Sequence, residues 1–327
     1  MSLCFKPVHL LRLLLPCCVG AALAGQALSP SEGLQLLNRV TQATRQQSFV
    51  GVYVYQRDTL VETSRITHQF ADGNSYEKLE ALDGPAQELI RANNMLSCYV
   101  PANRSDKVDY QSYSRFFPDV LPNDNRALLE NYHVIRQDME RVADHDCQMV
   151  LLAPKDGLRN PFRFCYEPTR AVLLKAQVYN DRQELLEQMS FTQVNIGGVI
   201  DRNAFKPRLP NKVGAWQRSD GPVKADDLII NDKQLPAGFK LVRGSKRQLP
   251  GKPAPVSHYL FSDGLASMSV FLEFTGKDAR PAEGASRQND TNILVETDEG
   301  AVMMLLGEVP KGALQQLGNS LRIKPKR

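Results

Sequence analysis

The side chains with the most chemical potential are few and scattered. Beyond residue 24 the histidines are His68, His133, His145 and His258, and the cysteines are Cys98, Cys147 and Cys165. The densest grouping is Asp144-His145-Asp146-Cys147. Successive side chains of a strand point to opposite faces, so these four donors cannot converge on one ion as a zinc site requires. No G-x-S-x-G, H-E-x-x-H, P-loop or C-x-x-C motif occurs in that stretch. No catalytic residue, metal or cofactor is therefore assigned, and a binding role is expected in place of an enzymatic one. The cysteines offer the clearest covalent chemistry. Lys155-Asp156-Gly157 marks a hairpin turn. Counting outward from it brings Cys147 and Cys165 close to opposite each other, where a cross-strand disulfide can form. Cys98 is then the thiol left over.

The elements that must position these groups read mainly as antiparallel strands. Ser29-Pro30-Ser31-Glu32 carries a capping-box signature, with Pro30 at the first helical position, and Leu34, Leu37 and Val40 follow at helical spacing. This predicts a helix ending near Gln47. Strands are expected over Phe49–Tyr55, Leu60–Phe70, Tyr76–Leu82, Ala86–Arg91 and Met95–Val100, with turns at Asp72-Gly73-Asn74 and Asp83-Gly84-Pro85. A polar, proline-punctuated stretch over 101–127 holds the aromatics Tyr110, Tyr113, Phe116 and Phe117. A short helix over about Asn125–Tyr132 and five further strands to Asn195 complete the first unit. Residues 206–224, rich in Pro, Gly and charge, read as a linker. A smaller unit of five strands and a C-terminal helix follows, with Gly276–Asp290 expected as a loop.

The N-terminus points outside the cytoplasm. Lys6 and Arg12 are the only charges before Glu32, an apolar run follows, and Ala22-Leu23-Ala24 and Gly25-Gln26-Ala27 are small-x-small triplets. That is the form of a secretory signal peptide over 1–24, cleaved after Ala24 or Ala27. Its removal takes the 40 basic residues to 38 against 36 acidic ones, a balance without the concentrated basic face of a nucleic-acid binder. An exported, oxidising setting also permits the disulfide.

A strongly bent antiparallel sheet over a helix can leave an apolar concavity. Phe49 to Tyr55 is apolar on both faces. Val52 and Val54, with Phe116 and Phe117 ahead of Pro118 capping the mouth, are the expected lipid-binding residues.

Several stretches then carry a resemblance. They are Phe49-Val50-Gly51-Val52-Tyr53-Val54-Tyr55, Arg65 with His68, and Leu82-Asp83-Gly84-Pro85 with Glu88 and Arg91. Arg141-Val142-Ala143-Asp144 and Lys155-Asp156-Gly157 with Arg159 follow. In the second unit they are Leu235-Pro236-Ala237-Gly238-Phe239, Ser262-Asp263-Gly264-Leu265-Ala266-Ser267 with Ser269-Val270, and Gly307-Glu308-Val309-Pro310. Taken in order, the set resembles the RseB/MucB family of periplasmic negative regulators of sigma-E. Three positions depart from it: Lys78 where arginine is frequent, Asn160 where a tyrosine usually follows the arginine, and Cys165 where tryptophan is common.

The resemblance implies an α+β chain. Its 25–205 domain would be an unclosed antiparallel β-barrel with helices, like the lipoprotein carriers LolA and LolB. Its 225–327 domain would contact the periplasmic part of an RseA/MucA-like anti-sigma factor and shield it from proteolysis. Ser262, Asp263, Gly264, Leu265 and Glu308 are the partner-binding residues this implies. Lipid or lipopolysaccharide would weaken the grip, the protein would lie in the periplasm, and self-association into a homo-oligomer stays open. A periplasmic lipid or lipoprotein carrier is the alternative.

Overall fold

The computed structural model describes residues 25–104, 116–217, 223–248, 254–275, 283–298 and 300–324. The signal-peptide segment and the aromatics Tyr110 and Tyr113 lie outside the described residues. The first domain begins with β1 (Gln26–Ala27) and α1 (Pro30–Gln46). Next come β2 (Phe49–Arg57), β3 (Leu60–Ala71), β4 (Asn74–Ala81), β5 (Glu88–Ala92) and β6 (Met95–Val100). The domain continues through α2 (Arg126–Asn131), β7 (Tyr132–Val142), β8 (His145–Pro154), β9 (Phe162–Tyr166), β10 (Leu173–Tyr179) and β11 (Leu185–Ile196) to β12 (Asn211–Gln217). These strands form one antiparallel sheet in the order β1-β7-β8-β9-β10-β11-β2-β3-β4-β5-β6-β12. Its two ends, β1 and β12, do not pair with each other, so the barrel stays unclosed, as expected.

Helix α1 forms because its start is chemically specified. Glu32 N donates to Ser29 Oγ at 3.4 Å and Ser29 N donates to Glu32 Oε2 at 2.9 Å, so two otherwise unpaired amides are satisfied at once. Its apolar stripe, Leu36, Leu37 and Val40, is buried in the core of the curled sheet. Each such side chain contributes about 1.5–3 kcal/mol through removal from water. Gly25 and β1 lie against β7, where a Cβ on Gly25 would meet Ile135 Cγ2 at 2.5 Å. Cleavage after Ala24 keeps that pairing, whereas cleavage after Ala27 removes it.

The second domain contains β13 (Leu228–Ile230), β14 (Lys240–Arg247), β15 (Val256–Ser262), β16 (Ser267–Phe274), β17 (Gly284–Gln288), β18 (Thr291–Asp298), β19 (Ala301–Gly307), α3 (Lys311–Ser320) and β20 (Leu321–Ile323). Its main sheet runs β14-β15-β16-β19-β18-β17, while β13 pairs with β20. Leu314 and Leu317 of α3 pack with Met303 and Leu305 of β19 in a core of their own. No helix among the described residues is long and apolar enough to cross a membrane.

Two expectations about connections fail. The segment read as linker from 206 is docked on the first domain. Its residues 211–217 are β12, paired along β6, and Lys78 Nζ donates to Lys206 O at 2.9 Å. Lys78 is itself buried and paired with Glu88 at 2.9 Å, and Glu88 Oε2 accepts from Arg208 N and Leu209 N. A buried cation needs such partners, and here the chain supplies them with its own backbone. The stretch read as a loop over Gly276–Asp290 includes edge strand β17, because Gly284–Gln288 completes the ladder of β18.

Candidate functional site

The interior of the curled sheet is the first candidate. Phe49, Gly51 and Tyr53 of β2 face inward and are buried, while Val52 and Val54 lie half-buried on the opposite face. Strand alternation requires this split. Gly51 is needed because a Cβ there would sit 2.5 Å from the Phe191 ring. Phe116 and Phe117 are each 3% exposed and belong to the core. The Phe117 ring lies 5.0 Å from Tyr53 and 4.9 Å from Phe191, and the Arg91 guanidinium sits 4.3 Å above Phe116. Arg45 of α1 clasps the segment through Asp119 at 2.7 Å and Leu121 O at 3.0 Å. The expected lipid-binding quartet is therefore divided: Phe116 and Phe117 fill the interior, and Val52 and Val54 are on the other side of the strand.

Two titratable groups are sunk in the same wall. His68 Nδ1 donates to Gln47 O at 2.9 Å and its ring stacks on Phe49, and burial holds its pKa down. Glu77 faces Arg91 at 3.1 Å, yet burial outweighs that attraction and pushes its carboxyl up to about 7. No cluster of three or more metal-ligating side chains occurs among the described residues. Asp144 is engaged by Arg141, its neighbour in a turn.

The disulfide forms as expected between Cys147 and Cys165, with Cα atoms 5.5 Å apart. In the β8–β9 ladder Cys165 stands directly opposite Met149, so Cys147 is its diagonal neighbour on the same face. Cys98 is the free thiol, buried.

The second candidate is the seam where the smaller domain meets the shell. Arg159, after the β8–β9 turn, has a fully buried side chain. Its Nη1 donates to Asp263 Oδ2 at 2.7 Å, its Nη2 to Ala237 O at 2.6 Å and to Asp156 Oδ2 at 3.0 Å. Tyr132 OH donates to the same Asp263 oxygen at 2.9 Å. Burial and the Asp263 charge raise the Tyr132 pKa, which keeps that hydroxyl a donor. The other Asp263 oxygen accepts from Leu265 N and Ala266 N, and Ser262 Oγ accepts from Gly264 N. Gly264 takes φ +105° beside Pro122, a conformation suited to glycine. Leu265 packs on the first domain's core, and Asn160 Nδ2 donates to Glu308 O at 2.9 Å. Arg57 pairs with Glu308 and donates to Thr291 Oγ1 at 3.1 Å.

Ser262, Asp263, Gly264, Leu265 and Glu308 thus come together, and the surface they meet in this structure is the chain's own first domain. Sequence reasoning missed their opposite numbers: Arg57, Tyr132, Asn160 and Glu187. Two signals were present. Arg159 closed one of the motif stretches, and Asn160 departed from the pattern beside it. The seam encloses a cavity of about 330 Å³, with Phe162, Val178, Leu265 and Leu306 as its apolar wall.

With this geometry in place, similarity to known proteins covers both domains. Residues 32–209 match the family described as the MucB/RseB N-terminal domain, and residues 230–322 match the MucB/RseB C-terminal domain. The sigma factor AlgU regulatory protein MucB of Pseudomonas aeruginosa is 30% identical over 312 residues, 93% of this chain and 95% of that one. The sigma-E factor regulatory protein RseB of Escherichia coli K12 is 22% identical, across 91% and 93% of the two chains. A solved complex of Pseudomonas aeruginosa MucA and MucB contains a chain that superposes with a TM-score of 0.72 at 28% identity, covering 90% of this chain and 100% of that one.

Proposed function

The chain belongs to the MucB/RseB family, and from that premise we propose that it is a periplasmic negative regulator of a sigma-E-type factor. It acts as a binding protein, holding the periplasmic part of an anti-sigma factor and shielding it from proteolysis. One observation carries the reading: both domains match, in order and over nearly full length, a chain solved in complex with MucA. A lipid or lipopolysaccharide signal received by the first domain would loosen that grip.

The test is direct. The anti-sigma periplasmic segment from the same genome is titrated with the full chain by calorimetry, then exposed to protease with and without it. Tight binding and slowed cleavage are expected; no binding overturns the reading. Truncation after Gln217, which keeps β12, should abolish protection if the second domain is necessary. Addition of lipid A fragments or fatty acids should release the segment. If it does not, lipid sensing falls while the regulatory reading stands. The alternative, a lipid or lipoprotein carrier, is disfavoured by Phe116 and Phe117, which already occupy the shell's interior.

A further inference from the structure

The seam contains a charge arrangement that binding alone does not require. Arg57 ends β2 and is paired in register with Glu187 of β11, inside the shell's mouth. The same guanidinium forms an ion pair with Glu308, from the second domain. One cation thus pairs with a carboxylate of the second domain and stands beside another of the first in the strand ladder, and all three line the seam cavity. We propose that Glu187, Arg57 and Glu308 form a pH-responsive latch between the domains, closed while Glu187 is protonated and loosened when it ionises.

The physics follows from counting charges. When Glu187 is ionised it competes with Glu308 for Arg57 and repels Glu308 across the seam. When it takes a proton, the repulsion vanishes and Arg57 is left to Glu308. The groups that face Glu187 are Tyr55 and Arg57 from β2 and Glu308 from the second domain. Its β10 neighbour in register is the apolar Val178. Asp290 adds a further negative charge near Glu308. Burial first, then Glu308, pushes the Glu187 carboxyl up to about 7, against the pull of Arg57 and a hydrogen bond with Tyr55. Tyr55 is itself held up to about 12, so it remains a neutral hydroxyl throughout.

The sign is fixed by linkage. Opening the seam returns Glu187 to water and to an ordinary carboxylate value, so closure takes up a proton. The closed-to-open ratio should rise about thirtyfold on going from pH 8 to pH 5.5. The latch is independent of which partner or lipid the protein binds.

The experiment uses the full mature chain. Hydrogen exchange is followed at the amides of Leu265 and Ala266, corrected for the intrinsic pH dependence, with small-angle scattering alongside. Protection is expected to be about thirtyfold greater at pH 5.5 than at pH 8, with a more compact particle. Glu187→Gln should be protected at both pH values and lose the response. Glu308→Gln, which removes both the ion pair with Arg57 and the repulsion with Glu187, should shrink the response while Arg159 and Asp263 still hold the seam, and an undiminished response in it counts against the latch. Equal corrected protection of the wild type at the two pH values overturns the latch. So does a Glu187→Gln variant that keeps the wild-type response.

Discussion

Replacement of Arg159 by alanine tests whether the seam holds the two domains as one unit. The arginine side chain is fully buried and Asp263 is 1% exposed at its side chain, so the substitution leaves a carboxylate inside without its cation. Breaking a buried pair in this way typically costs about 3–5 kcal/mol. Two features argue for the lower end. Asp263 keeps the Tyr132 hydroxyl and two backbone amides, and Asp156, the second acid on Arg159, is partly exposed and can be hydrated. A loss of about 3 kcal/mol in the coupling of the domains is therefore expected. Urea unfolding followed by far-ultraviolet dichroism should change from one transition to two, the smaller domain melting first. Tyr132→Phe should cost about 1.5–3 kcal/mol, since one buried hydrogen bond to a charged group is lost while the ring remains. The double change Arg159→Met with Asp263→Leu should recover part of the loss, because no orphan charge is left. A single unshifted transition in Arg159→Ala, with less than about 1 kcal/mol lost, would refute the argument that this contact joins the domains.

Folding stability should fall as pH rises through about 7, because Glu77 holds its proton in the folded wall up to about 7 but ionises near 4.5 once unfolded. Its contribution is complete below 4.5 and lost above 7, up to about 3 kcal/mol, and Glu77→Gln should flatten urea midpoints measured from pH 5 to 8. Phe117→Ala should cost about 3–5 kcal/mol, as for a large core ring, while Val52→Ala on the outer face should cost less; equal urea midpoints would place both wrongly. Cys147→Ser should lose about 3 kcal/mol through the freed loop, and peptide mapping of the oxidised protein without reductant should find Cys98 alone as a thiol.

What the sequence disclosed, and what it concealed, divides by range of interaction. Helix α1 was readable because Ser29 and Glu32 cap each other three residues apart, within the span a short motif describes. The Cys147–Cys165 bond was readable because one hairpin turn fixes both partners, although the register placed them diagonally. Polar composition misled at residues 206–217: it says nothing of Lys78 and Glu88, buried on distant strands, which capture that backbone. The polar stretch over 101–127 likewise suggested that Phe116 and Phe117 cap a cavity mouth, whereas the rings are buried by Tyr53, Phe191 and Arg91 from three separate strands. The seam was the least visible feature, since Tyr132 and Asp263 meet across 131 residues of chain. The family resemblance pointed Ser262-Asp263-Gly264-Leu265 toward the anti-sigma partner, whereas in this structure the turn that holds them meets the chain's own first domain. Asp263 divides its two oxygens between the turn that carries it and the domain that turn touches. A residue used in this way couples the shape of the smaller domain to its position on the shell. A change in the shell near Arg159 or Arg57 therefore reaches the second domain through the seam side chains, without any need to alter that domain's own core.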